Sequence, residues 1–416
     1  MDLEQIIQET ETELQPYFKT IEACAYRNQA KVLDAFHAVK ATESDLQGTT
    51  GYGYDDIGRD HLEEIYAHTF KAEDALVRPQ IISGTHAITV ALQANLKHGD
   101  ELLYITGSPY DTLLEVIGVN GNGIGSLKEN GVLYNEVALT ETGQIDVPAV
   151  LNAINDHTKV IAIQRSKGYD QRPSIMVDEI KRAVADIKAE HPDVIVFVDN
   201  CYGEFVEDEE PIEAGADIMA GSLIKNPGGG LARIGGYIVG KTNLIERCGY
   251  RLTAPGIGKE AGASLTELPS MYQGFFLAPH VVSQSLKGAL FTSLFLTKLN
   301  MNTVPAFDTP RTDLIQTVQF DTAEQMIRFC QCIQAASPIN AHFSPEPSYM
   351  PGYEDDVIMA AGTFVQGSSI ELSADGPIRP PYEAYVQGGL TYEHVKLAVT
   401  RAVQHMNDCL LYTSDA

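Results

Sequence analysis

The sequence contains no tryptophan and few basic residues: 29 lysines and arginines stand against 56 aspartates and glutamates in 416 residues. The formal net charge of −27 argues against nucleic acid and acidic membranes as partners. No apolar run approaches the roughly 20 residues of a membrane span, and the acidic start lacks the basic and apolar regions of a secretory signal. An anionic ligand would need basic residues gathered locally, so any such cluster is conspicuous.

Cysteine is also scarce, and its spacing gives no sign of a disulfide framework or a metal site. The six cysteines form no Cys-x-x-Cys pair and stand at positions 24, 201, 248, 330, 332 and 409. Scattered thiols in a chain of this length are typical of a reducing compartment. We therefore predict a cytoplasmic protein without a metal site.

The order of apolar runs predicts an α/β fold. A chain of 416 residues exceeds what one hydrophobic core usually serves, so two domains are expected. From residue 76 to about 240, strand-like runs alternate with helical stretches, the sign of βα units and a parallel sheet. The strands are predicted near 77–82, 101–106, 132–137, 158–163, 194–199, 217–220 and 235–240.

The remaining segments predict the domain boundaries. Residues 1 to about 45 show helical spacing, and a long helix is expected over 267–299. Beyond residue 305 the pattern turns to α+β, with strands near 356–366 and 369–373 and a final helix near 391–410. We expect a helical arm over 1–45, a large domain over 46–300 and a small C-terminal domain over 301–416.

The most informative stretch surrounds Lys225, which is followed by Pro227 and three consecutive glycines, Gly228 to Gly230. Glycine loses the most backbone entropy on folding and proline removes a donor, so neither favours a regular element. The glycines allow a backbone to approach a flat or charged ligand beside the amine. A surface turn with a solvated lysine is the competing interpretation.

Two other segments predict polar groups near the same sheet edge. An apolar strand runs into Asp199, with Tyr202 three residues later, and ligands of parallel sheets bind outside the carboxyl ends of the strands. Ser83, Gly84 and Thr85 open a helix after the first strand, where backbone N–H groups favour an anion. An ordinary helix N-cap at Ser83 or Thr85 remains the alternative.

Together these pieces resemble a known family. Residues 51–59 (GYGYDDIGR), 83–87 (SGTHA), 199–205 (DNCYGEF) and 221–229 (GSLIKNPGG) are similar to motifs of fold-type I pyridoxal-phosphate enzymes. The chain resembles the cystathionine/methionine lyase group and, more narrowly, the bacterial aluminium-resistance or methionine gamma-lyase-like family. The resemblance covers nearly the whole chain. It implies an aspartate-aminotransferase-like large domain, a smaller α+β domain and pyridoxal 5'-phosphate as the cofactor.

The resemblance also implies roles for individual residues. Lys225 would bind the cofactor covalently and then move protons as a general base and acid. Asp199 would pair with the pyridinium nitrogen, so that the ring acts as an electron sink. Tyr202 would hydrogen-bond the phenolic oxygen, and Tyr110 would stack on the ring. The phosphate would be bound by Gly84, Thr85, Ser222 and Arg233.

Further residues are assigned to the partner subunit and the substrate. In this group a tyrosine and an arginine of one subunit reach the cofactor phosphate of the next, which here implies Tyr54 and Arg59 and a homodimer or a dimer of dimers. Arg379 is expected to bind the substrate carboxylate, since a guanidinium suits bidentate contact, although a surface arginine is an equal alternative. The basic residues Arg165 and Lys167 could hold substrate or a partner loop.

The predicted activity is carbon–sulfur lysis of a sulfur amino acid of the methionine or cystathionine type, releasing a thiol, a 2-oxo acid and ammonia. One departure concerns the residue before the lysine: the lyase group often has threonine there, and this chain has Ile224.

An aminotransferase uses the same set of site residues and remains an alternative. So does a cofactor-binding or metal-binding stress protein, although the acidic run 207–210 is expected to be a solvated face. Lys259 is a rival to Lys225, but no strand precedes it.

Overall fold

Seven short apolar runs form the large sheet of the computed structural model, which describes residues 3–350 and 353–413. Its strands are β1 Asp74–Arg78, β2 Glu101–Tyr104, β3 Leu133–Glu136, β4 Thr158–Gln164, β5 Ile195–Asp199, β6 Ile218–Ser222 and β7 Gly236–Gly240. They lie in the order β1-β7-β6-β5-β4-β2-β3, and β7 runs antiparallel to both of its neighbours whereas the other pairs are parallel. The sheet is therefore mainly parallel, as predicted.

Helices cover both faces of this sheet, which explains the continuous apolar runs of its strands. All five residues of β5 and of β6 are buried. The large-domain helices are α2 Ile57–Thr69, α3 Gly84–Asn95, α4 Asp111–Ile117, α5 Val147–Ala153, α6 Val177–Glu190 and α7 Thr242–Leu252. One apolar core includes side chains of α3, α4 and α7, and the other includes side chains of α2 and α6. Successive side chains of a strand point to opposite faces of the sheet, so alternate residues of the strands enter each of these two cores.

The C-terminal part forms a second, antiparallel sheet. Its strands are β8 Asn302–Val304, β9 Gln316–Phe320, β10 Val357–Ala360, β11 Ser373–Pro377 and β12 Tyr382–Gln387, in the order β10-β11-β12-β9-β8. The helices α9 Ala323–Ala335 and α10 Tyr392–Thr413 contribute to its core. This is the smaller α+β unit expected from the sequence.

Two long helices connect the large and small cores. The helix α1 Leu3–Ala38 buries Leu14 and Phe18 in the small core and Val32 and Ala35 in the large core. The helix α8 Leu268–Lys298, which follows the predicted span closely, packs along α1 and also enters both cores. The N-terminal arm is thus packed against its own chain, while the exact division into domains stays a prediction.

Three predicted strands have wrong boundaries, and the one near 356–366 covers only Val357–Ala360. The first strand covers Asp74–Arg78 rather than 77–82, because Pro79 removes a donor and the chain turns there. In the small domain, 369–373 is not a strand except for its last residue, since β11 begins at Ser373. The apolar residues predicted that strands lie in these regions. Where each strand begins depends on its neighbours, which are β7 for β1 and β10 and β12 for β11.

The glycines after Lys225 lie directly on the backbone of α8. A Cβ at Gly229 would be 2.2 Å from the carbonyl oxygen of Gly274, and a Cβ at Gly274 would be 2.2 Å from that of Gly228. Gly229 also has a positive φ of 54°. These contacts hold the turn after Lys225 against α8. They explain why both the turn and the facing position of the helix have glycine.

Gly274→Ala is expected to destabilise the protein by about 1–3 kcal/mol, the usual cost of overpacking. Alanine normally stabilises a helix interior by about 1 kcal/mol relative to glycine. The expected change in the free energy of unfolding therefore has the opposite sign to that of helix propensity. The free energy of unfolding in urea measures the effect. Gln273→Ala, at the exposed neighbouring position, is the control, and equal stability of the two variants would contradict the close contact.

Candidate active site

A cavity of about 590 Å³ opens at the carboxyl ends of three neighbouring strands, β4, β5 and β6, which end at Gln164, Asp199 and Ser222. Residues of both domains line it. Eight of the predicted site residues are among them, namely Gly84, Thr85, Tyr110, Asp199, Tyr202, Ser222, Lys225 and Arg379. The solvated-turn interpretation of Lys225 is therefore wrong.

The start of α3 forms one wall. Ser83 is the N-cap, and its hydroxyl accepts the backbone N–H of His86 at 3.0 Å. The N–H groups of Gly84 and Thr85 stand in the first helical turn and have no acceptor within the helix. A Cβ at Gly84 would lie 3.2 Å from both Cys201 Sγ and Ser222 Cβ, so glycine lets the helix approach β6 closely. Ser83 is thus an N-cap, and the two N–H groups beside it could bind an anion.

Asp199 is a buried carboxylate at the centre of the cavity floor. It is 4% exposed, and its Oδ1 accepts the backbone N–H of Cys201 at 3.1 Å. Burial raises the pKa of Asp199 above its ordinary value, although the nearby charge of Lys225, the Cys201 N–H and Arg172 act in the opposite direction. Among the described residues it forms no ion pair, so a cationic ligand would supply the missing charge.

Lys225 approaches the ring of Tyr202, with Nζ 3.9 Å from the ring centroid. Burial lowers the pKa of Lys225, but the neighbouring Cys201, Tyr202 and Asp199 raise it, and the net pKa lies well above that of an ordinary lysine. We attribute the direction to Asp199, because burial also raises the pKa values of Cys201 and Tyr202 and keeps these two groups neutral. The amine is thus charged and faces a carboxylate and an aromatic ring.

The backbone around Tyr202 is strained and held by the residue after the lysine. Tyr202 has a φ of 73°, which is uncommon for a residue with a Cβ. The Asn226 side-chain amide donates to the carbonyl oxygens of Tyr202 and Glu204 at 3.0 and 2.9 Å. Asn226 therefore connects the turn of Lys225 to the turn of Tyr202, a role that no sequence pattern predicted.

Tyr110 is fixed from two directions. Its backbone N–H donates to Gln164 Oε1 at 2.9 Å, and its hydroxyl lies 3.1 Å from that of Thr85. Gln164 Nε2 in turn donates to the carbonyl oxygen of Ser166 at 2.9 Å. Sequence reasoning missed Gln164, although its place at the end of β4 was a usable signal.

The small-domain side of the cavity is rich in tyrosine. Tyr169 donates to the buried carboxylate of Asp375 at 2.7 Å, and Gln387 donates to the same carboxylate at 2.9 Å. Burial raises the pKa of Asp375 to about 6, against the effect of these two hydrogen bonds. Tyr353 and Tyr385 also line this side. No pattern in the sequence singled out Asp375, Tyr353 or Tyr385, because distant segments bring them together.

Arg379 lies at the rim of the cavity. Its guanidinium forms an ion pair with Asp355 at 3.0 Å, and its side chain is 43% exposed. The position is open to a ligand, while the pair with Asp355 shows that the arginine also has a partner within the chain.

Three other predicted residues lie outside this cavity: Arg233, which was expected in it, and Tyr54 and Arg59, which were assigned to the cavity of a second subunit. Arg233 pairs with Glu267 at 2.8 Å, because the loop before β7 runs towards the start of α8. Arg59 is buried and donates to the carbonyl oxygens of Gly53 and Gly262, so it joins its own loop to the loop before α8. Tyr54 is exposed and stacks on Tyr52, with ring centroids 5.3 Å apart.

Two further expectations about charged residues are corrected. Glu207 and Glu210 of the acidic run are not solvated, because both contact the buried guanidinium of Arg165, at 3.0 and 3.3 Å. Arg165 therefore stabilises the interior rather than binding substrate. Lys259, the rival lysine, lies outside the cavity and pairs with Asp74 and Glu63.

Glu204 lies beneath the turn of the lysine, where it is fully buried. Its Oε1 accepts the hydroxyl of Tyr237 at 2.7 Å, and its Oε2 has no hydrogen-bond partner among the described residues. Burial raises the pKa of Glu204 to about 8, against the effect of the Tyr237 hydrogen bond. The carboxyl is thus mostly protonated at neutral pH.

This raised pKa predicts a loss of stability with rising pH. Between the unfolded pKa near 4.3 and the folded pKa of about 8, the folded state keeps a proton that the unfolded state has released. The free energy of unfolding should fall by up to about 1.4 kcal/mol per pH unit in this window. Glu204→Gln cannot titrate, so urea unfolding from pH 5 to 8.5 should give a flatter curve than wild type. Parallel curves would contradict the burial argument.

The residues around the cavity fit pyridoxal 5'-phosphate. An amine, a carboxylate that lacks an internal ion pair, and an anion cradle converge from three segments far apart in the sequence. The glycine at position 84 keeps open the approach between α3 and β6. Lys225 would hold the cofactor covalently, Asp199 its ring nitrogen, and Gly84, Thr85 and Ser222 its phosphate.

Comparison with known proteins agrees with this fit. Residues 3–407 match the model of the methionine gamma-lyase family. The chain is 62% identical to the uncharacterized protein YnbB of Bacillus subtilis over 405 residues, covering 97% of this chain and 96% of that protein.

Solved structures extend the similarity. A proposed cystathionine beta-lyase involved in aluminium resistance from Listeria monocytogenes has 59% identity and a TM-score of 0.95, covering 96% of this chain and 99% of that one. A carbon–sulfur lyase involved in aluminium resistance from Clostridium novyi has 44% identity and a TM-score of 0.93, covering 97% and 96%. More distant structures at 17% identity, one a pyridoxal-phosphate-dependent protein of Escherichia coli, share the fold at TM-scores of 0.61 and 0.57.

None of the helices in the described ranges is both long and apolar enough to cross a membrane.

Proposed function

We propose that this chain, which belongs to the methionine gamma-lyase family, is a pyridoxal-phosphate-dependent carbon–sulfur lyase. Its substrate would be a sulfur amino acid of the methionine or cystathionine type. The observation that carries the proposal is the convergence of Lys225, Asp199 and Tyr202 in one cavity, beside the helix start at Gly84. The names of the similar structures support the lyase class.

The cofactor, when bound, supplies an electron sink for the carbon next to the amino group. The chain's own residues provide the remaining parts. Lys225 Nζ takes a proton from the substrate α-carbon and returns one to the product. Asp199 keeps the ring nitrogen charged, because a carboxylate buried without an ion pair favours a cation beside it. Tyr110 would stack on the cofactor ring, and Tyr202 would hydrogen-bond its phenolic oxygen.

The overall reaction consumes water. The carbon–sulfur bond breaks, the sulfur leaves as a thiol, and water replaces the amino group to give a 2-oxo acid and ammonia. Arg379 is our choice for the substrate carboxylate, supported by its place on the cavity wall.

A homo-oligomer with shared sites remains part of the proposal. The exposed Tyr54 is available to a neighbouring subunit, with 58% of its surface free. Arg59 and Arg233 would need to leave their present partners to reach a phosphate. Cytoplasmic location and the choice between dimer and tetramer stay predictions.

The test is to supply methionine and cystathionine separately to the cofactor-loaded protein, with and without an added 2-oxo acid as amino acceptor. A lyase should release thiol and 2-oxo acid in equal amounts from one of them without the acceptor. A reaction that requires the acceptor and releases no thiol would instead identify an aminotransferase. Measuring thiol and 2-oxo acid in the same sample separates the two.

A further inference from the structure

Lys167 is a lysine of the cavity wall that the proposed reaction does not use. It follows β4, lines the cavity and is only 6% exposed. Its Nζ donates to Thr317 Oγ1 at 2.7 Å and lies 5.4 Å from the ring centroid of Tyr385. Burial lowers the pKa of Lys167 below that of an ordinary lysine, although nearby carboxylates act in the opposite direction.

The ammonium group has more donors than partners. It carries three N–H bonds, and the hydroxyl of Thr317 accepts one. Asp313 and Glu383 act on Lys167 through space, but neither forms an ion pair with it among the described residues. Asp313 instead accepts hydrogen bonds from Ser166 and Ser174.

Glu383 is likewise occupied, since it accepts hydrogen bonds from Gln319 at 2.6 Å and Tyr385 at 2.9 Å. A buried charge without a direct counter-ion is costly. A ligand anion in the cavity would provide the missing partner.

The segment around Lys167 is held in place by contacts with both domains. The backbone N–H of Lys167 donates to Ser174 Oγ at 2.9 Å. Tyr169, two residues later, donates to Asp375 and accepts, through its carbonyl oxygen, the hydroxyl of Tyr385 at 3.0 Å. The amine is therefore presented from a fixed backbone, which lowers the entropy cost of binding.

We propose that Lys167 is an anion-binding residue that holds a carboxylate of the amino-acid substrate. It differs from Arg379, which is ion-paired with Asp355 and half exposed at the rim. The identity of the ligand as an amino acid rests on the proposed lyase function. The anion site itself rests on the buried, incompletely paired amine.

The test is calorimetric binding of two unreactive acids, propionate and glutarate, to the cofactor-loaded protein. Lys167→Gln removes the charge and is expected to weaken binding of at least one acid about 10- to 100-fold, the usual effect of losing a hydrogen bond to a charged group. Lys167→Arg keeps the charge and should retain most of the affinity. If Lys167→Gln loses affinity for both acids, Lys167 binds the α-carboxylate of the substrate. If it loses affinity for glutarate alone, Lys167 binds a second carboxylate.

Two control variants test whether a loss of affinity comes only from the change in net charge or only from the lost contact between the domains. Lys97→Gln makes the same charge change at an exposed site and should leave affinity unchanged. Thr317→Val removes the hydrogen bond between the domains but keeps the ammonium, so the affinity should stay close to that of wild type.

The proposal is overturned if the wild type binds neither acid, if Lys167→Gln binds both as tightly as wild type, or if Thr317→Val is as weak as Lys167→Gln. The visible absorbance of the same samples reports cofactor binding. A wild type that takes up no cofactor contradicts the proposed function, and the same titrations on the cofactor-free protein then test the anion site alone.

Discussion

Replacing Lys225 by alanine is expected to remove the visible absorbance band of the bound cofactor and to lower thiol release by at least about 10²–10⁴-fold, the range contributed by general acid–base catalysis alone. The physical reason is that Lys225 stands within 3.9 Å of the Tyr202 ring, beside the carboxylate of Asp199. Lys167 is the other lysine among the described residues that line the cavity, but it donates to Thr317 of the small domain.

The measurement is absorbance before and after borohydride, followed by mass spectrometry of the trapped protein. Borohydride should fix the cofactor to wild type at Lys225 and leave none attached to Lys225→Ala. Lys259→Ala is the matched control, because Lys259 is a partly buried lysine that pairs with Asp74 outside the cavity. That variant should lose stability but keep the band. A band in Lys225→Ala with label at another lysine would overturn the assignment.

The sequence could predict the large-domain half of the site because its residues are tied to recognisable strand ends. Asp199 ends a continuous apolar run, Ser222 ends the next strand, and the glycines mark the turn after Lys225. Parallel strands carry their carboxyl ends to the same edge. Local pattern and topology therefore placed Asp199 at the ligand-binding edge of the sheet, whereas Ser222 was assigned from the family resemblance.

The orientation of long basic side chains could not be predicted in this way. Arg233 follows Lys225 at the spacing of a phosphate ligand, yet it turns towards Glu267 on the far side of the loop. Arg59 occupies the expected loop, where it donates to the carbonyl oxygens of Gly53 and Gly262. An arginine has many rotamers, so its direction depends on partners that are distant in sequence.

The small-domain half was hidden for a different reason. Tyr169 and Asp375 are 206 positions apart in the chain and meet only when the domains pack together. Neither residue stands in a motif, and a tyrosine in a loop has no preferred role. Such contacts come from tertiary structure, and a single sequence contains no sign of them.

Replacing Asp199 by asparagine should separate cofactor binding from catalysis. The amide keeps the size of the side chain and can still accept the N–H of Cys201, but it carries no charge. Lys225 remains, so the covalent link to the cofactor should form. Without the carboxylate, the ring nitrogen loses the group that keeps it protonated, and the ring becomes a weaker electron sink.

We expect kcat to fall by at least about 100-fold, since removing one partner of a buried ionic pair costs about 3–5 kcal/mol. The visible band and its trapping by borohydride should persist, which distinguishes this variant from Lys225→Ala. The readings to compare are kcat at saturating cofactor and the affinity for the cofactor, taken from the absorbance.

Asp217→Asn provides the matched control, because Asp217 is equally buried but precedes β6 at the opposite end of the sheet. There it accepts the backbone N–H of Val196 and pairs with Lys188 and Lys241. Its loss should lower the free energy of unfolding and leave kcat of the folded protein near wild type. If Asp199→Asn kept full activity, or if Asp217→Asn lost as much activity, the catalytic role assigned to Asp199 would be wrong. A selective loss at Asp199 would tie catalysis to the sheet edge where the lysine, the anion cradle and the strand ends meet.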